Sequence, residues 1–286
     1  MNVVDILKKQ VSHRPIGTFL IILLTYSALI AAVISTVLKT TSPQVSVAIY
    51  AWGPMTSAGA TVWLLDESIH DWLGQLRNLR VGIHWYIAGV AMMIIGTEFE
   101  TLMVLFLHGD VTAPAAPLGT YAFLFGVTLF FAGALEELGW RGFLQPRLQQ
   151  QFSALWASVG ISVLWGLWHV PMILAGLGNF TVFWEYMLNI TMMSIIFGWL
   201  YNTTHAALPV VMITHASHNM PPIGSPTDEI PAVFNVLSGD AMILLVCAVL
   251  IVLYTEPQTL IREGTLPAPP GKGIDNTVST SGSTTN

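Results

Sequence analysis

The chain has 286 residues, of which 53% are hydrophobic and only 9% are charged. Soluble domains carry charge at about a quarter of their positions, so this composition excludes an ordinary soluble protein. There is no basic cluster beyond Lys8 and Lys9, which excludes a nucleic-acid partner, and the single Cys247 excludes an intrachain disulfide. The composition and the spacing of the apolar runs together predict an all-α, polytopic membrane protein.

Apolar segments follow one another along the chain at about the length that a helix needs to cross a bilayer, about 20 residues. In chain order they are residues 16–37, 44–65, 83–106, 117–136, 153–175, 181–201, 206–220 and 233–254. The seventh is short and ends in polar residues, which favours a position inside the protein. We therefore predict a bundle of about eight transmembrane helices in one membrane-embedded domain, residues 1–263. A disordered tail, residues 264–286, should follow, because it is rich in Gly, Ser, Thr and Pro.

The basic residues predict how these helices are oriented. With the N-terminus in the cytoplasm, nine of the ten Lys and Arg fall on the cytoplasmic side, and only Lys39 falls outside. An even number of spans returns the chain to the side on which it started. We therefore expect both termini in the cytoplasm.

Ionisable residues inside membrane helices are costly, so those in the fourth span need an explanation. Glu137 and Arg141 are four positions apart, share one helix face and can form an ion pair. Glu136 lies about 100° around the helix from Glu137, so it can point elsewhere and act as a general base. A carboxylate–arginine pair at a helix end is also typical of a membrane-interface anchor, and the pair alone leaves that alternative open.

Histidines and an asparagine lie in two other spans. His215, His218 and Asn219 share one helix face at the end of the seventh span, and His169 follows Trp165 by four positions in the fifth. Each histidine taken singly could equally be a hydrogen-bonded core residue. Their significance depends on whether the helices bring them to the same depth.

Helix lengths favour one shared site. Gln151 marks the turn between the fourth and fifth spans, and His169 lies 18 positions beyond it, or about 27 Å along a straight helix. Glu136 lies 15 positions before Gln151, or about 22 Å, provided that the fourth helix continues through Arg141. Two antiparallel helices would then hold Glu136 and His169 at similar height. This continuation removes Arg141 from the loop count and leaves eight of nine basic residues in the cytoplasm.

Three more carboxylates, Glu98, Glu100 and Glu185, lie within apolar segments. Structural hydrogen bonding or exposure to a water-filled cavity would explain them. A proton path through a transporter is the alternative, and the absence of an internal sequence repeat disfavours it.

Three short motifs carry a family resemblance. The sequences EELGWR at 136–141, WGLWH at 165–169 and HASHN at 215–219 resemble EExxxR, FxxxH and HxxxN motifs. In this order they resemble the CAAX prenyl endopeptidase and bacteriocin-immunity (CPBP) family of intramembrane proteases. The resemblance covers about residues 117–220, and Trp165 stands where the family usually has phenylalanine.

The resemblance implies an intramembrane endopeptidase and assigns its site. The implied catalytic residues are Glu136, Glu137, Arg141, His169, His215 and Asn219. The first glutamate would activate water, supported by the second glutamate and the arginine. The first histidine would position that water, and the second histidine and the asparagine would stabilise the oxyanion.

The implied cofactors and partners follow from the same resemblance. Zinc is conceivable because the family has often been labelled metalloprotease, but the chain has no HExxH helix, and we favour a reaction with no metal and no other cofactor. The expected partners are a peptide or protein substrate, membrane-anchored substrates included, and the lipid bilayer of a prokaryotic plasma membrane. Some members act in immunity or scaffolding without established cleavage, so a non-catalytic membrane scaffold or immunity factor is the alternative function.

Overall fold

A computed structural model describes residues 13–36, 43–112, 114, 116–175 and 182–270, together with Lys8 and Val11. Within this part of the chain the secondary structure is helical, and the one extended pairing is an isolated antiparallel bridge between Val111 and Pro226. The all-α class is therefore confirmed. The predicted disorder of the tail concerns mostly residues 271–286, which lie outside the described residues.

The main helices are connected by short turns and a few longer loops. In chain order they are α1 (Pro15–Thr36), α2 (Pro43–Ala51), α3 (Gly53–Leu64), α4 (Ile69–Gly74), α5 (Ile83–Thr97), α6 (Phe99–Phe106), α7 (Leu118–Phe131), α8 (Ala154–Leu174), α9 (Phe183–Thr203), α10 (Leu208–His218) and α11 (Gly239–Tyr254). Serine side chains cap three of them: Ser68 accepts from the backbone N–H of Asp71 in α4, Ser153 from that of Trp156 in α8, and Ser238 from that of Ala241 in α11.

Three helical stretches of the described chain are long and apolar enough to cross a bilayer, namely α1, residues Leu118–Leu148, and α8. The pair α5 and α6 passes the same test together, although the two helices are bent by 65° at Glu98, which allows a fourth span. The outer surfaces of these helices carry exposed apolar side chains, such as Leu29, Phe123 and Leu174. These features agree with an integral membrane protein of several spans, whereas the number of eight stays a prediction.

Several of the predicted spans are not single helices. Residues 44–65 form α2 and α3, which separate just before Pro54, a residue without a backbone N–H to continue a helix. Residues 83–106 are interrupted at Glu98. Residues 206–220 contain only α10, whose 11 residues extend about 16 Å, half of a bilayer core. Most of α10 is buried, as expected for a helix inside the protein.

The helix of the fourth predicted span is interrupted near its C-terminal end. α7 ends at Phe131, and Ala132 leaves the helical region with φ −136° and ψ −133°. The chain then resumes as a 3-10 turn, a short α-helix, a π-helical turn and a last α-turn that ends at Leu148. We call residues 133–148 the motif segment. The predicted continuation of the helical chain through Arg141 is therefore present, but it follows a break that the sequence pattern did not indicate.

Burial separates the motif segment from α7. No residue of α7 is buried, whereas every residue of the motif segment is buried except Leu135 and Leu148. The segment packs against α3 with its backbone: a side chain at Gly139 would meet the carbonyl of Pro54 at 2.5 Å, so only glycine allows this approach. On its other sides lie α9 and α10, and Phe19 of α1 packs against the rings of Trp140 and Phe143. The motif segment is thus surrounded by protein, which explains how it can carry charge at membrane depth.

Candidate active site

The motif segment and α10 together build a buried ion network around Glu137. Arg141 Nη1 donates to both carboxylate oxygens of Glu137, at 3.0 and 3.1 Å, as the four-residue spacing predicts. His215 Nδ1 lies 2.7 Å from Glu137 Oε1. Arg141 Nη2 donates to Ser194 Oγ of α9 at 3.0 Å, so the network ties three helical elements together. Glu137 and Arg141 are fully buried, which is the opposite of an anchor at the membrane interface.

The guanidinium of Arg141 is also held by aromatic rings. It lies 4.9 Å from the ring of Trp165 and 5.0 Å from the ring of Phe197. A guanidinium is weakly hydrated and favours contact with aromatic faces, so these rings suit a buried arginine. The result is a layer in which each side chain restrains its neighbours.

Glu136 faces away from this network and lines a cavity. Its Oε2 accepts a hydrogen bond of 2.7 Å from the indole Nε1 of Trp165 on α8. Its side chain is nearly buried and borders a cavity of about 640 Å³ that is also lined by His169, His215 and Asn219. The two adjacent glutamates therefore have different surroundings: Glu137 is enclosed by hydrogen-bond donors, whereas Glu136 borders open space.

Gly133 shows how closely three of these groups converge. A methyl group at this position would lie 2.6 Å from Asn219 Nδ2, 3.4 Å from His215 Nε2 and 3.8 Å from Glu136 Oε1. Three polar atoms from two helical elements are thus within 3.8 Å of one point. The lack of a side chain at Gly133 leaves the space that Asn219 Nδ2 occupies beside it.

His169 lines the same cavity from α8. Its Nδ1 is 2.9 Å from the carbonyl oxygen of Trp165, so Nδ1 carries the hydrogen and Nε2 is the acceptor in a neutral ring. Its ring packs edge-on against Trp168 at 4.8 Å. The structure therefore brings Glu136 and His169 to one cavity.

A second polar cluster lines another part of this cavity, which we call the distal end. Asp240 Oδ1 lies 4.0 Å from His218 Nδ1, and Asp240 Oδ2 accepts a long hydrogen bond of 3.5 Å from Asn189. Three buried atoms of the cluster have no hydrogen-bond partner among the described residues: His218 Nδ1, Asp240 Oδ1 and Asn189 Oδ1. Water or a bound molecule must supply their partners, because buried polar groups are normally satisfied.

The three remaining carboxylates of the apolar segments bind backbone N–H groups. Glu98 accepts from Ile223, Glu100 accepts from Gly239, and Glu185 accepts from Ser238, at distances of 2.5 to 2.9 Å. They hold the connection between α10 and α11 and the start of α11 in place. This agrees with the prediction of structural hydrogen bonding rather than a proton path.

No group of three or more His, Cys, Asp or Glu in the described chain is arranged to hold a metal ion. The nearest approach to a ligand set, His215 with Glu137, is already engaged with Arg141. These residues therefore do not fit a zinc site, and the metal-free reaction stays a prediction.

Sequence reasoning did not identify three features of the site. Trp165 was noted as an aromatic neighbour of His169, but its hydrogen bond to Glu136 depends on how α8 lies against the motif segment. Gly133 is one glycine among 24, and nothing in its local pattern marks it. Asp240 belongs to the eighth predicted span, and only the packing of α11 against α5 and α9 brings it to the cavity.

Comparisons with known proteins agree with this geometry. Residues 118–221, which contain all six predicted site residues, match the family model described as Type II CAAX prenyl endopeptidase Rce1-like. A stretch of 100 residues is 30% identical to CAAX prenyl protease 2 of the archaeon Methanococcus maripaludis, over 32% of this chain and 37% of that protein. The chain thus matches well under half the length of this curated relative. Through the segment that carries its motifs, the chain is therefore similar to CAAX prenyl endopeptidases.

Proposed function

We propose that the protein is an intramembrane endopeptidase of the CAAX type that hydrolyses a peptide bond with water activated by Glu136. The observation that carries this proposal is the convergence of Glu136 Oε1, His215 Nε2 and Asn219 Nδ2 on one point beside Gly133. A base and two oxyanion donors have to face the same reacting carbonyl, and the convergence of these three atoms supports such an arrangement.

In the first step, a water oxygen attacks the carbonyl carbon of the peptide while Glu136 takes the proton of that water. His169, which lines the same cavity, orients the water in this proposal. The carbonyl oxygen becomes an oxyanion and receives hydrogen bonds from Asn219 and His215. When the C–N bond breaks, the proton passes from Glu136 to the leaving amine, so two peptides are released and the carboxylate is restored.

The ion network determines what His215 can contribute. A carboxylate only accepts hydrogen bonds, so the His215 Nδ1 that faces Glu137 carries a hydrogen. Nε2 donates to an oxyanion only when the ring is an imidazolium. In that form Arg141 and His215 carry two positive charges against two negative charges on Glu136 and Glu137, so the layer is neutral as a whole. This charge balance favours a supporting role for Glu137 and Arg141, with Glu136 as the base.

The proposed substrate is a peptide or protein that enters the cavity from the membrane or the cytoplasmic side, membrane-anchored substrates included. The proposed location is the plasma membrane of a prokaryote. A suitable first probe is an internally quenched peptide that ends in farnesylated Cys-Val-Ile-Met, offered to the purified protein in proteoliposomes.

The decisive test is the Glu136→Gln variant, which keeps the shape of the side chain and removes the base. We expect kcat to fall about 10³-fold, within the range that a general base contributes. Glu185→Gln is the matched control, since Glu185 lines the same cavity but only accepts from a backbone N–H. It should retain most of its activity.

Cellular peptides extend this test beyond one probe. Cut sites found in cells with the parent protein should disappear in cells with Glu136→Gln, while membrane insertion is equal. If Glu136→Gln kept full biological function and left all peptides unchanged, the protein would be a scaffold or immunity factor instead.

A further inference from the structure

The position of Trp165 assigns it a task that none of the motifs describes. We propose that Trp165 is a positioning residue, whose indole N–H holds one oxygen of Glu136 so that the other oxygen faces the reacting water. This inference rests on the proposed function of Glu136 as the base.

The two oxygens of Glu136 are already distinguished by their contacts. Oε2 accepts the indole N–H at 2.7 Å, a short distance typical of a bond to a charged acceptor. Oε1 is the oxygen that lies 3.8 Å from the methyl position at Gly133, near Asn219 and His215. Indole nitrogen only donates, so this contact has a single possible polarity. One oxygen is therefore committed to the protein and the other borders the point where the polar groups converge.

The indole itself is fixed by the ion network. Trp165 is 2% exposed, and one of its faces lies against the guanidinium of Arg141. The imidazole of His215 approaches it edge-on at a centroid distance of 5.4 Å, and Phe197 packs beside it at 6.2 Å. Moving the indole would disturb the contacts of Arg141 and His215. Trp165 thus links Glu136 to the rigid Glu137 network. Among the hydrogen bonds of the described chain, none joins Glu136 directly to Arg141.

Orientation matters because a glutamate side chain has three rotatable torsions. A base that is free to turn spends only part of its time aimed at the water, and a displacement of about 1 Å costs on the order of 100-fold in rate. A phenylalanine at this position would preserve the aromatic packing but would leave Oε2 without its donor. Packing alone therefore does not explain the choice of tryptophan at residue 165.

The test removes the N–H donor while keeping the ring. Trp165→Phe is compared with a variant that carries 3-benzothienylalanine at residue 165, an indole isostere in which sulfur replaces the N–H. Both should lower kcat on the farnesylated Cys-Val-Ile-Met peptide about 10- to 100-fold while KM changes less than twofold. Trp72→Phe is the matched control, because Trp72 is equally buried and donates 3.1 Å to the carbonyl of Leu138, but does not line the cavity. It should keep kcat within about twofold of the parent.

A second readout needs no substrate. The indole N–H resonance of Trp165, identified by its loss in Trp165→Phe, should move upfield in Glu136→Gln, because a neutral amide is a weaker acceptor than a carboxylate. The Trp72 resonance should stay in place.

The outcomes separate this inference from the proposed function. Activity retained in Glu136→Gln, or no cleavage of the peptide by the parent protein, would refute the proposed function, and the indole resonance would then decide alone whether Trp165 holds Glu136. If Glu136→Gln is inactive but both Trp165 variants match Trp72→Phe in kcat, only the positioning role is wrong. Equal losses of kcat in the phenylalanine and benzothienyl variants support it.

Discussion

Two histidine–carboxylate pairs lie one turn apart on α10 and differ sharply in geometry. His215 Nδ1 lies 2.7 Å from Glu137, and that carboxylate also receives two hydrogen bonds from Arg141. His218 Nδ1 lies 4.0 Å from Asp240, beyond hydrogen-bond distance, and Asp240 Oδ1 has no partner among the described groups. The protein itself supplies the hydrogen-bond partners of the first pair, whereas the second pair depends on partners from outside the protein.

The difference shows how one cavity can combine rigidity with adaptability. In the proposed reaction Glu137 and Arg141 support the groups that stabilise the transition state, and such support acts best when it is held in place beforehand, as this ion pair is. Groups that contact a variable substrate or solvent do not need to have all their hydrogen-bond partners within the protein. We therefore expect substitutions at the two pairs to differ in what they affect: folding and turnover at the first, substrate affinity at the second.

The largest effect should appear when each carboxylate is neutralised without a change of shape. Glu137→Gln leaves Arg141 as a buried, uncompensated cation and should reduce the free energy of unfolding by about 3–5 kcal/mol. Asp240→Asn should cost less than about 1 kcal/mol, because its contact with His218 is long and partly exposed. Unfolding in detergent micelles with increasing SDS measures both values. Equal losses would show that the two pairs are energetically alike.

A second effect should follow from filling the point of convergence. Gly133→Ala places a methyl group 2.6 Å from Asn219 Nδ2, so the asparagine must withdraw from the oxyanion position. Losing one such donor lowers kcat about 100-fold. Single-turnover cleavage of the quenched peptide measures this loss.

The matched control for that substitution is Gly126→Ala on α7, where an added methyl group meets nothing within 4 Å. It should leave turnover unchanged. If Gly133→Ala were equally harmless, the space beside Gly133 would not be the place where the peptide bond is cut.

A smaller effect is expected at the distal end. Asp240→Asn keeps the shape of the side chain but removes the charge that faces the cavity, so KM should rise about threefold while kcat stays constant, the pattern of lost uniform binding. Steady-state kinetics with the quenched peptide separate the two constants. A fall in kcat as large as that of Glu136→Gln would show instead that the distal end takes part in the reaction itself.

The smallest effect should come from metal removal. The described residues offer no group of three ligands, so incubation with 1,10-phenanthroline should leave the cleavage rate unchanged. Metal analysis of the purified protein accompanies this measurement. Inhibition by the chelator that zinc reverses would contradict the metal-free reaction.

The spacing of residues along the chain and the rise of a helix predicted several features of the candidate site. The interval of four residues predicted the pair of Glu137 and Arg141, and rise per residue predicted that Glu136 and His169 share a depth. Both rest on the regular geometry of a helix, which a sequence pattern reflects directly. The same reasoning assumed regular helices and was wrong at two positions. At Ala132 the backbone leaves the helix, and at Glu98 two apolar helices meet at 65°.

The amino-acid sequence by itself determined the all-helical class, the membrane environment and the segment in which the charges lie, because hydropathy and helical period are properties of neighbouring residues. Tertiary structure alone decided which glutamate oxygen meets the indole of Trp165, why Gly133 has no side chain, and that His218 stands apart from Asp240. Those facts depend on the rotation and approach of helices that are distant in the chain. A one-dimensional pattern does not contain such angles and distances, since they arise from how side chains pack between elements.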